Sequence, residues 1–229
     1  SQRPFTIITD TKQIKSNALI ISTGASANRL GVKNEKLFWS RGISACAICD
    51  GATPQFRNEE LAVVGGGDSA CEEAEYLTKY GSHVHLLVRS NKFKASAAMA
   101  DRVKANANIT IHWETELLEV MGNQWLEKLK VKRGKTNQED EIFAKGLFYA
   151  IGHTPNTSLF TNQLATDEKG YLITKPGRPE TSLEGVYAAG DVADSEWRQG
   201  ITAAGSGCQA ALAAERWLAK NKLATLIKR

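Results

Sequence analysis

At 229 residues the chain is long enough for one large domain or two small ones, on a prior of roughly 100–200 residues per domain, and for a real buried core. Hydrophobic residues make up 42% and charged residues 24%, close to the globular norm of roughly 45–50% and 25%, which excludes wholesale disorder and fibrous repeats. Lys+Arg 29 against Asp+Glu 25 gives +4, scattered apart from a cluster at Arg89 to Lys94 and a basic tail at Ile227-Lys228-Arg229, so a dedicated nucleic-acid binder is not expected.

In chain order, Phe5-Thr6-Ile7-Ile8 alternates loosely, and Ala18 to Ser22 is a short apolar strand closed by the turn Thr23-Gly24-Ala25. From Ser26 to Ser44 the pattern is irregular, with Phe38 and Trp39 as anchors. Leu61-Ala62-Val63-Val64 then meets Gly65-Gly66-Gly67-Asp68-Ser69-Ala70; Ala70, Ala74 and Leu77 recur at helical spacing, and Gly81 stops the helix. His83 to Val88 reads as the next strand, completing a right-handed βαβ unit with parallel strands. A second helix is expected from Ser96 to Lys104, then a strand near Ile109-Thr110-Ile111. Leu126 to Val131 and Ile142 to Phe148 are β-like around a polar turn at Gly134 to Glu141, which suggests a small antiparallel insertion. After Gly152, strands are expected at Tyr171-Leu172-Ile173 and Val186 to Ala189, and a long helix from Gln199 to Lys220. No apolar run approaches the roughly 20 residues that cross a bilayer, and Ser1 to Phe5 lacks the order of a secretory signal. Four cysteines are too few for a disulfide scaffold, so a reducing compartment is expected.

The turn Gly65-x-Gly67-x-x-Ala70 supplies a tight bend, room for a pyrophosphate and close helix–strand packing, with the phosphate at the positive helix end. Its rival is a purely structural glycine turn. An NAD site needs an acidic residue about 20 positions on, but none lies between Glu75 and Asp101; Arg89, Ser90, Lys92 and Lys94 suit the 2′-phosphate of NADP, against a plain solvated basic turn. Cys46-Ala47-Ile48-Cys49 closes a ring suited to a reversible dithiol. Half a zinc site is the alternative, but no second C-x-x-C or paired histidine at ligand spacing is present, so no metal is expected. Asp50 follows directly, placed either to move a proton to a departing thiolate or to serve as a turn carboxylate. Cys71 and Cys208 fall on helices as small packing residues. Gly190-Asp191 ends an apolar strand before Arg198-Gln199-Gly200, where a carboxylate and a helix end can meet a flavin; capping is the bland alternative.

Cys46-Ala-Ile-Cys49-Asp50-Gly51, Gly65-Gly-Gly-Asp-Ser-Ala70, Ala150-Ile-Gly152-His153-Thr-Pro155-Asn156 and Ala188-Ala-Gly-Asp191 with Trp197 to Gly205 together resemble NADPH-dependent thioredoxin reductases of the low-molecular-weight flavoprotein type, over the whole chain and in the family's order. Phe38 to Ser44, Leu86 to Arg89 and Glu196 to Gln199 are most similar to the reductase part of the chloroplast and cyanobacterial forms with a fused thioredoxin domain. The resemblance implies an α/β chain with two Rossmann-like nucleotide-binding domains: a partial first FAD segment at 1–28, an inserted NADPH domain carrying the dithiol at 29–151, and a second FAD segment at 152–229. It implies hydride passing from NADPH to FAD, then electrons to Cys46–Cys49 and on to thioredoxin, with Cys49 nearer the flavin, Cys46 attacking the partner and Asp50 as acid/base. Gly65, Gly67, Asp68, Ser69, Ala70, Arg89, Ser90 and Lys94 are then the NADPH residues, and Ile151, Gly152, Gly190, Asp191, Arg198, Gln199 and Gly200 complete the cofactor set. Connectors around Asn28 to Lys33 and Gly152 to Asn156 let the domains swing. A homodimer without membrane or nucleic-acid partners is implied, in the cytoplasm or, in a plastid-bearing source, the chloroplast stroma.

Two departures bear on these expectations. The family opens with its own G-x-G-x-x-G for FAD, and nothing before Gly65 supplies one, so an incomplete FAD domain is expected. Many relatives read His-Arg-Arg and a later Arg at the NADP selector, where this chain has Val88, Arg89, Ser90 and Lys94. A peroxiredoxin-reducing relative and a nucleotide-binding module without flavin activity remain the alternative functions.

Overall fold

The computed structural model describes residues 3–136 and 138–223; the basic tail at Ile227 to Arg229 lies outside the described residues. The chain divides into two compact units, Ser1–Ser26 with His153–Arg229, and Ala27–Gly152.

The first unit begins with β1 (Phe5–Ile8) and β2 (Gln13–Ser16), an antiparallel hairpin, followed by β3 (Leu19–Ile21) and β4 (Ala25–Ala27). The second unit holds α1 (Glu35–Phe38), β5 (Ile43–Ser44), α2 (Ala47–Asp50), β6 (Glu60–Val64), α3 (Asp68–Leu77), β7 (His83–Leu87), α4 (Ala97–Ala105), β8 (Ile109–His112), β9 (Thr115–Gly122), β10 (Leu126–Arg133), β11 (Gln138–Phe143) and β12 (Gly146–Tyr149). The chain then returns to the first unit with β13 (His153–Pro155), which pairs with β4, β14 (Val186–Ala188) and α5 (Gly200–Lys220).

In the second unit five parallel strands are ordered β5-β12-β6-β7-β8. The unbroken apolar run in β6 has a physical reason: Leu61 and Val63 face a core shared with Ala70, Cys71, Ala74 and Leu77 of α3, while Ala62 faces a second core. A strand covered on both faces cannot alternate. That second core lies under an antiparallel meander ordered β11-β10-β9, whose Leu117, Val120, Leu129, Val131 and Ile142 point inward. Fully burying a leucine such as Leu61 or Leu86 stabilises by roughly 1.5–3 kcal/mol each.

Three expectations change here. The stretch Ile142 to Phe148 is two strands in two sheets: Ile142 and Phe143 end β11 in the meander, whereas β12 lies in the parallel sheet between β5 and β6. Ala144 and Lys145 make the transfer, anchored by the Lys145 N–H on the Glu60 carbonyl at 2.8 Å. The turn expected at Gly134 to Glu141 is shorter, since pairing with β10 begins at Gln138. The irregular stretch from Ser26 to Ser44 contains β4, α1 and β5.

In the first unit β14 pairs with β3 in parallel, and α5 packs on both. Tyr187, Ala189, Ala210 and Ala214 form one small core; Phe5, Ile21, Leu172, Val186, Ala188 and Val192 form another. Tyr171 to Ile173 is not a strand: Leu172 makes one isolated antiparallel bridge, to Thr166, and the Leu172 N–H is taken by the Val192 carbonyl at 2.9 Å.

Candidate active site

Ser44 ends β5, and two residues later Cys46 takes an extended conformation as N-cap of the one-turn helix α2. Cys46 and Cys49 are joined as a disulfide, with Cα atoms 5.3 Å apart. The Cys49 N–H donates to Cys46 Sγ at 3.2 Å, the kind of donor that stabilises a thiolate on that sulfur. Ala47 is buried and anchors the helix, while Cys49 is exposed and Cys46 half-buried. Ser44 Oγ donates to Asp50 Oδ2 at 2.6 Å and accepts the Cys46 N–H at 3.1 Å, which ties the carboxylate back toward the first cysteine. Gly51 is required: a Cβ there would meet the Ala47 carbonyl and Leu77 Cδ2 at 2.6 Å each, so α2 rests directly on the C-terminal end of α3.

The glycine turn lies at the other end of α3, about 15 Å along a ten-residue helix. Gly65 has φ +151°, and a Cβ would stand 2.5 Å from the Ala150 carbonyl. Gly67 faces open space, and as N-cap of α3 it leaves the first turn without a side-chain cap. An uncapped helix start with an open glycine before it fits a dinucleotide pyrophosphate. Ala70 is buried against the strand, and Ser69 lies in the first turn. Asp68 is turned to the loop after β7, where its Oδ1 accepts the Ser96 N–H at 2.9 Å and hydroxyl at 2.8 Å; these bonds hold its carboxyl below the usual range. The Lys94 N–H donates to the Gly66 carbonyl at 2.7 Å, so the basic loop and the glycine turn are sewn together. Arg89 is exposed at the end of β7 and, with Lys132, Glu114, Glu116 and Gly134, lines a cavity of about 240 Å³. The Ser90 hydroxyl donates to the Lys92 carbonyl at 2.7 Å, shaping this turn.

Ile151 and Gly152 close the second unit: their carbonyls accept the Asn28 side-chain amide at 3.1 Å and its backbone N–H at 3.0 Å. Gly190, Asp191, Arg198, Gln199 and Gly200 gather in the first unit, Gly190 at φ +74° with its N–H on Ser206 Oγ at 2.9 Å. The Asp194 carboxylate accepts the N–H groups of Glu196, Trp197 and Arg198, fixing the loop before α5, and Arg198 also donates to the Ser195 carbonyl. Gln199 is the N-cap of α5, its N–H on Thr202 Oγ1 at 3.3 Å, rather than its first residue. The half-buried Asp191 carboxylate makes no hydrogen bond or ion pair among the described residues. His153 Nδ1 is buried without a hydrogen-bond partner; burial first, then the Arg198 charge, lowers its pKa against the opposing pull of Asp191. An open carboxylate and an orphaned imidazole nitrogen beside a positive-φ glycine fit the hydroxyls and phosphates of a flavin nucleotide.

Cys71 is buried, and desolvation pushes its thiol up to about 11, in keeping with a packing role. Cys208 is exposed on α5, which corrects the expectation that it packs; the turns of α5 around it are mostly Gly, Ala and Ser, so the helix pattern does not show which face is covered. Five residues are not singled out by the sequence: Ser44, Ser96, His153, Glu35 and Tyr149. Glu35 is 3% exposed and accepts the Tyr149 hydroxyl at 2.8 Å and the Leu30 and Gly31 N–H groups, tying the segment after Asn28 to β12. Burial, and then the bond to Glu35, raise the Tyr149 phenol. Among the described residues no cluster of His, Cys, Asp or Glu is placed to hold a metal ion, and no helix is long and apolar enough to cross a membrane.

A parallel sheet with a glycine turn of dinucleotide-binding form, and a disulfide mounted on the same unit, are the two features that disulfide oxidoreductases using a pyridine nucleotide combine. The chain belongs to the pyridine nucleotide-disulphide oxidoreductase family, which it matches over residues 2–207. Thioredoxin reductases are among its relatives there. It is 55% identical over 222 residues to NADPH-dependent thioredoxin reductase 3 of Arabidopsis thaliana, covering 96% of this chain and 42% of that protein. It is 52% identical to thioredoxin reductase of Dictyostelium discoideum, covering 95% of this chain and 69% of that protein. Among solved structures, thioredoxin reductase from Giardia duodenalis superimposes with TM-score 0.85 at 44% identity, over 96% of this chain and 72% of that one. The enzyme from Streptococcus pyogenes gives 0.86 at 35%, over 94% and 70%. The chain thus spans less than half of the Arabidopsis protein and about 70% of the other three. The expected α/β class with a parallel nucleotide-binding sheet agrees with these structures.

Proposed function

We propose that this chain carries the electron path of a flavoprotein disulfide reductase, from NADPH through FAD to Cys46–Cys49 and on to the disulfide of a thioredoxin. The observation that carries the reading is the disulfide itself, formed within a helix cap that donates to Cys46 Sγ, with Asp50 tethered beside it. The second unit serves as the NADPH-binding part, with Gly65, Gly67, Ser69 and Ala70 forming the pyrophosphate cradle and Arg89, Ser90 and Lys94 facing the 2′-phosphate. The first unit contributes Gly190, Asp191, Arg198, Gln199 and Gly200 to FAD. The glycine turn and the dithiol stand at opposite ends of α3, a ten-residue helix about 15 Å long. A bound flavin supplies the two-electron relay between a nicotinamide and a disulfide.

The remaining chemistry falls to the chain's own side chains. In the reduced pair the Cys46 thiol passes its proton to Asp50 as it attacks, the developing thiolate being stabilised by the Cys49 N–H. Cys46 Sγ attacks one sulfur of the partner disulfide; a mixed disulfide forms, the partner S–S bond breaks, and the departing thiolate takes the proton from Asp50. The Cys49 thiol then gives its proton to Asp50, attacks Cys46 Sγ and restores the Cys46–Cys49 bond. The second partner thiolate leaves with that proton, so two electrons and two protons have passed. Support for the partner comes from the relatives, which are named thioredoxin reductases. A homodimer in the cytoplasm or a chloroplast stroma completes the reading, supported by the resemblance alone.

The test is NADPH oxidation by the FAD-loaded protein with oxidised thioredoxin. Turnover that disappears in both Cys46→Ser and Cys49→Ser supports the reading. Thioredoxin reduction at the parental rate by Cys49→Ser overturns it, and a protein that binds NADPH but never becomes yellow with FAD favours a bare nucleotide-binding module.

A further inference from the structure

We propose that Ser44 is a positioning residue for the proton carrier, holding Asp50 against the Cys46 side of the disulfide in both of its protonation states. The inference rests on the reading of Cys46–Cys49 and Asp50 given above and adds the element that makes the proton transfer directional.

The geometry is a closed loop of polar contacts. Ser44 Oγ donates to Asp50 Oδ2 at 2.6 Å, the same oxygen atom accepts the Cys46 N–H at 3.1 Å, and the Cys49 N–H reaches Cys46 Sγ at 3.2 Å. One hydroxyl therefore joins the carboxylate to the backbone of the cysteine whose sulfur gains and loses charge. Without it, Asp50 would sit at the C-terminal end of a four-residue helix with no other side-chain partner among the described residues, free to turn to solvent. Ser44 is itself fixed, because β5 pairs in parallel with β12 and Ser44 is in register with Phe148, one of the fully buried side chains of the sheet. The tether thus connects the proton carrier to the five-stranded parallel sheet, whereas α2 is a single turn.

A hydroxyl suits this place for a chemical reason. It can donate to a carboxylate and, after rotating, accept from a carboxylic acid, so the contact survives when Asp50 takes up or releases its proton. An ammonium at this position, which only donates, would favour the carboxylate state alone. Threonine can replace serine on these terms, and its β-branch suits a strand; alanine cannot.

The test uses the cofactor-free exchange of the oxidised chain with dithiothreitol at neutral pH, followed by mass spectrometry of the Cys46–Cys49 peptide, in Ser44→Ala, Ser44→Thr, Asp50→Asn and the double variant Ser44→Ala/Asp50→Asn. Asp50→Asn is expected to slow exchange at least about a hundredfold, the low side of general-acid contributions. Ser44→Ala should recover most of that slowing, Ser44→Thr should stay within about twofold of the parent, and Ser44→Ala should add less than about twofold once Asp50 is already Asn, because the two act as one unit. A purely structural serine would instead slow the Asn background by the same factor as the parent, and that result, or full activity of Ser44→Ala beside a slow Asp50→Asn, overturns the proposal while leaving Asp50 as carrier. An Asp50→Asn variant as fast as the parent overturns both. Should Ser44→Ala fail to fold, Ser44→Thr decides: a tenfold loss with an intact far-ultraviolet spectrum counts against the proposal, and parental exchange supports it.

Discussion

Acidification should weaken the second unit through one imidazole whose surroundings exclude a proton. His112, the last residue of β8, is 8% exposed. Its Nδ1 lies 3.1 Å from Arg133 Nη1, and a guanidinium only donates, so Nδ1 must be the unprotonated nitrogen. Nε2–H then donates to His85 Nδ1 at 3.0 Å, and His85 Nε2–H donates to the Glu60 carboxylate at 2.9 Å. Protonating His112 breaks the first link of this chain. Burial, followed by the charges of His85 and Arg133, carries its pKa from 6.5 to about 4, with Asp140 opposing and His83 adding slightly. The folded pKa lies below the unfolded one, so the unfolded chain binds the extra proton first; stability is flat above the unfolded value and falls as the pH drops below it toward the folded value. The linkage relation gives a loss of about 2 kcal/mol between roughly pH 7.5 and 5, about 1 M in a urea midpoint at an m-value of about 2 kcal/mol/M. His83 is also lowered and acts in the same direction, so the informative quantity is the difference from His112→Asn, which preserves an acceptor for Arg133 and a donor for His85. Urea unfolding at the two pH values, followed by tryptophan fluorescence, measures it. A His112→Asn protein with the same pH dependence as the parent would refute the reasoning.

The glycine turn makes a paired prediction: Gly65→Ala, at positive φ and against the Ala150 carbonyl, should lose at least about 2 kcal/mol in urea unfolding. Gly67→Ala, with open space around it, should unfold like the parent yet bind NADPH far more weakly by fluorescence titration. Arg89→Ala should reduce NADPH affinity about tenfold and leave NADH unchanged, since only the 2′-phosphate is addressed. Iodoacetamide should label Cys208 alone in the native oxidised chain, then Cys46 and Cys49 after dithiothreitol, and Cys71 only on unfolding; native labelling of Cys71 would contradict its burial and raised pKa.

The parts of this architecture written in short range were readable before any coordinates. The apolar run of β6, the glycines after it and the helical spacing of Ala70, Ala74 and Leu77 act within a few residues of one another, and the structure forms them as expected. The changes occur where partners are distant in sequence. The apolar end of β11 and the apolar β12 run together along the chain from Ile142 to Phe148, and only the parallel pairing of Gly146–Tyr149 with Leu61–Val64, some eighty residues away, assigns β12 to the other sheet. Tyr171 to Ile173 has strand-forming residues but finds no neighbour long enough to form a ladder. The Cys46–Cys49 pair is legible from its spacing, whereas Ser44 is an ordinary strand serine until its hydroxyl is seen on Asp50. Glu35 and Tyr149 are more than a hundred positions apart, and a charged residue in a polar stretch carries no sign that it will be buried on a tyrosine.

The most direct measurement is a trap. Reduced Cys49→Ser protein, incubated with oxidised thioredoxin and digested without reductant, should yield a persistent mixed disulfide through Cys46, because the sulfur that resolves it has been removed. Cys46→Ser should yield none. Covalent capture through Cys208, or no adduct with either variant under conditions where the parent pair exchanges freely, would show that electrons do not leave by this route.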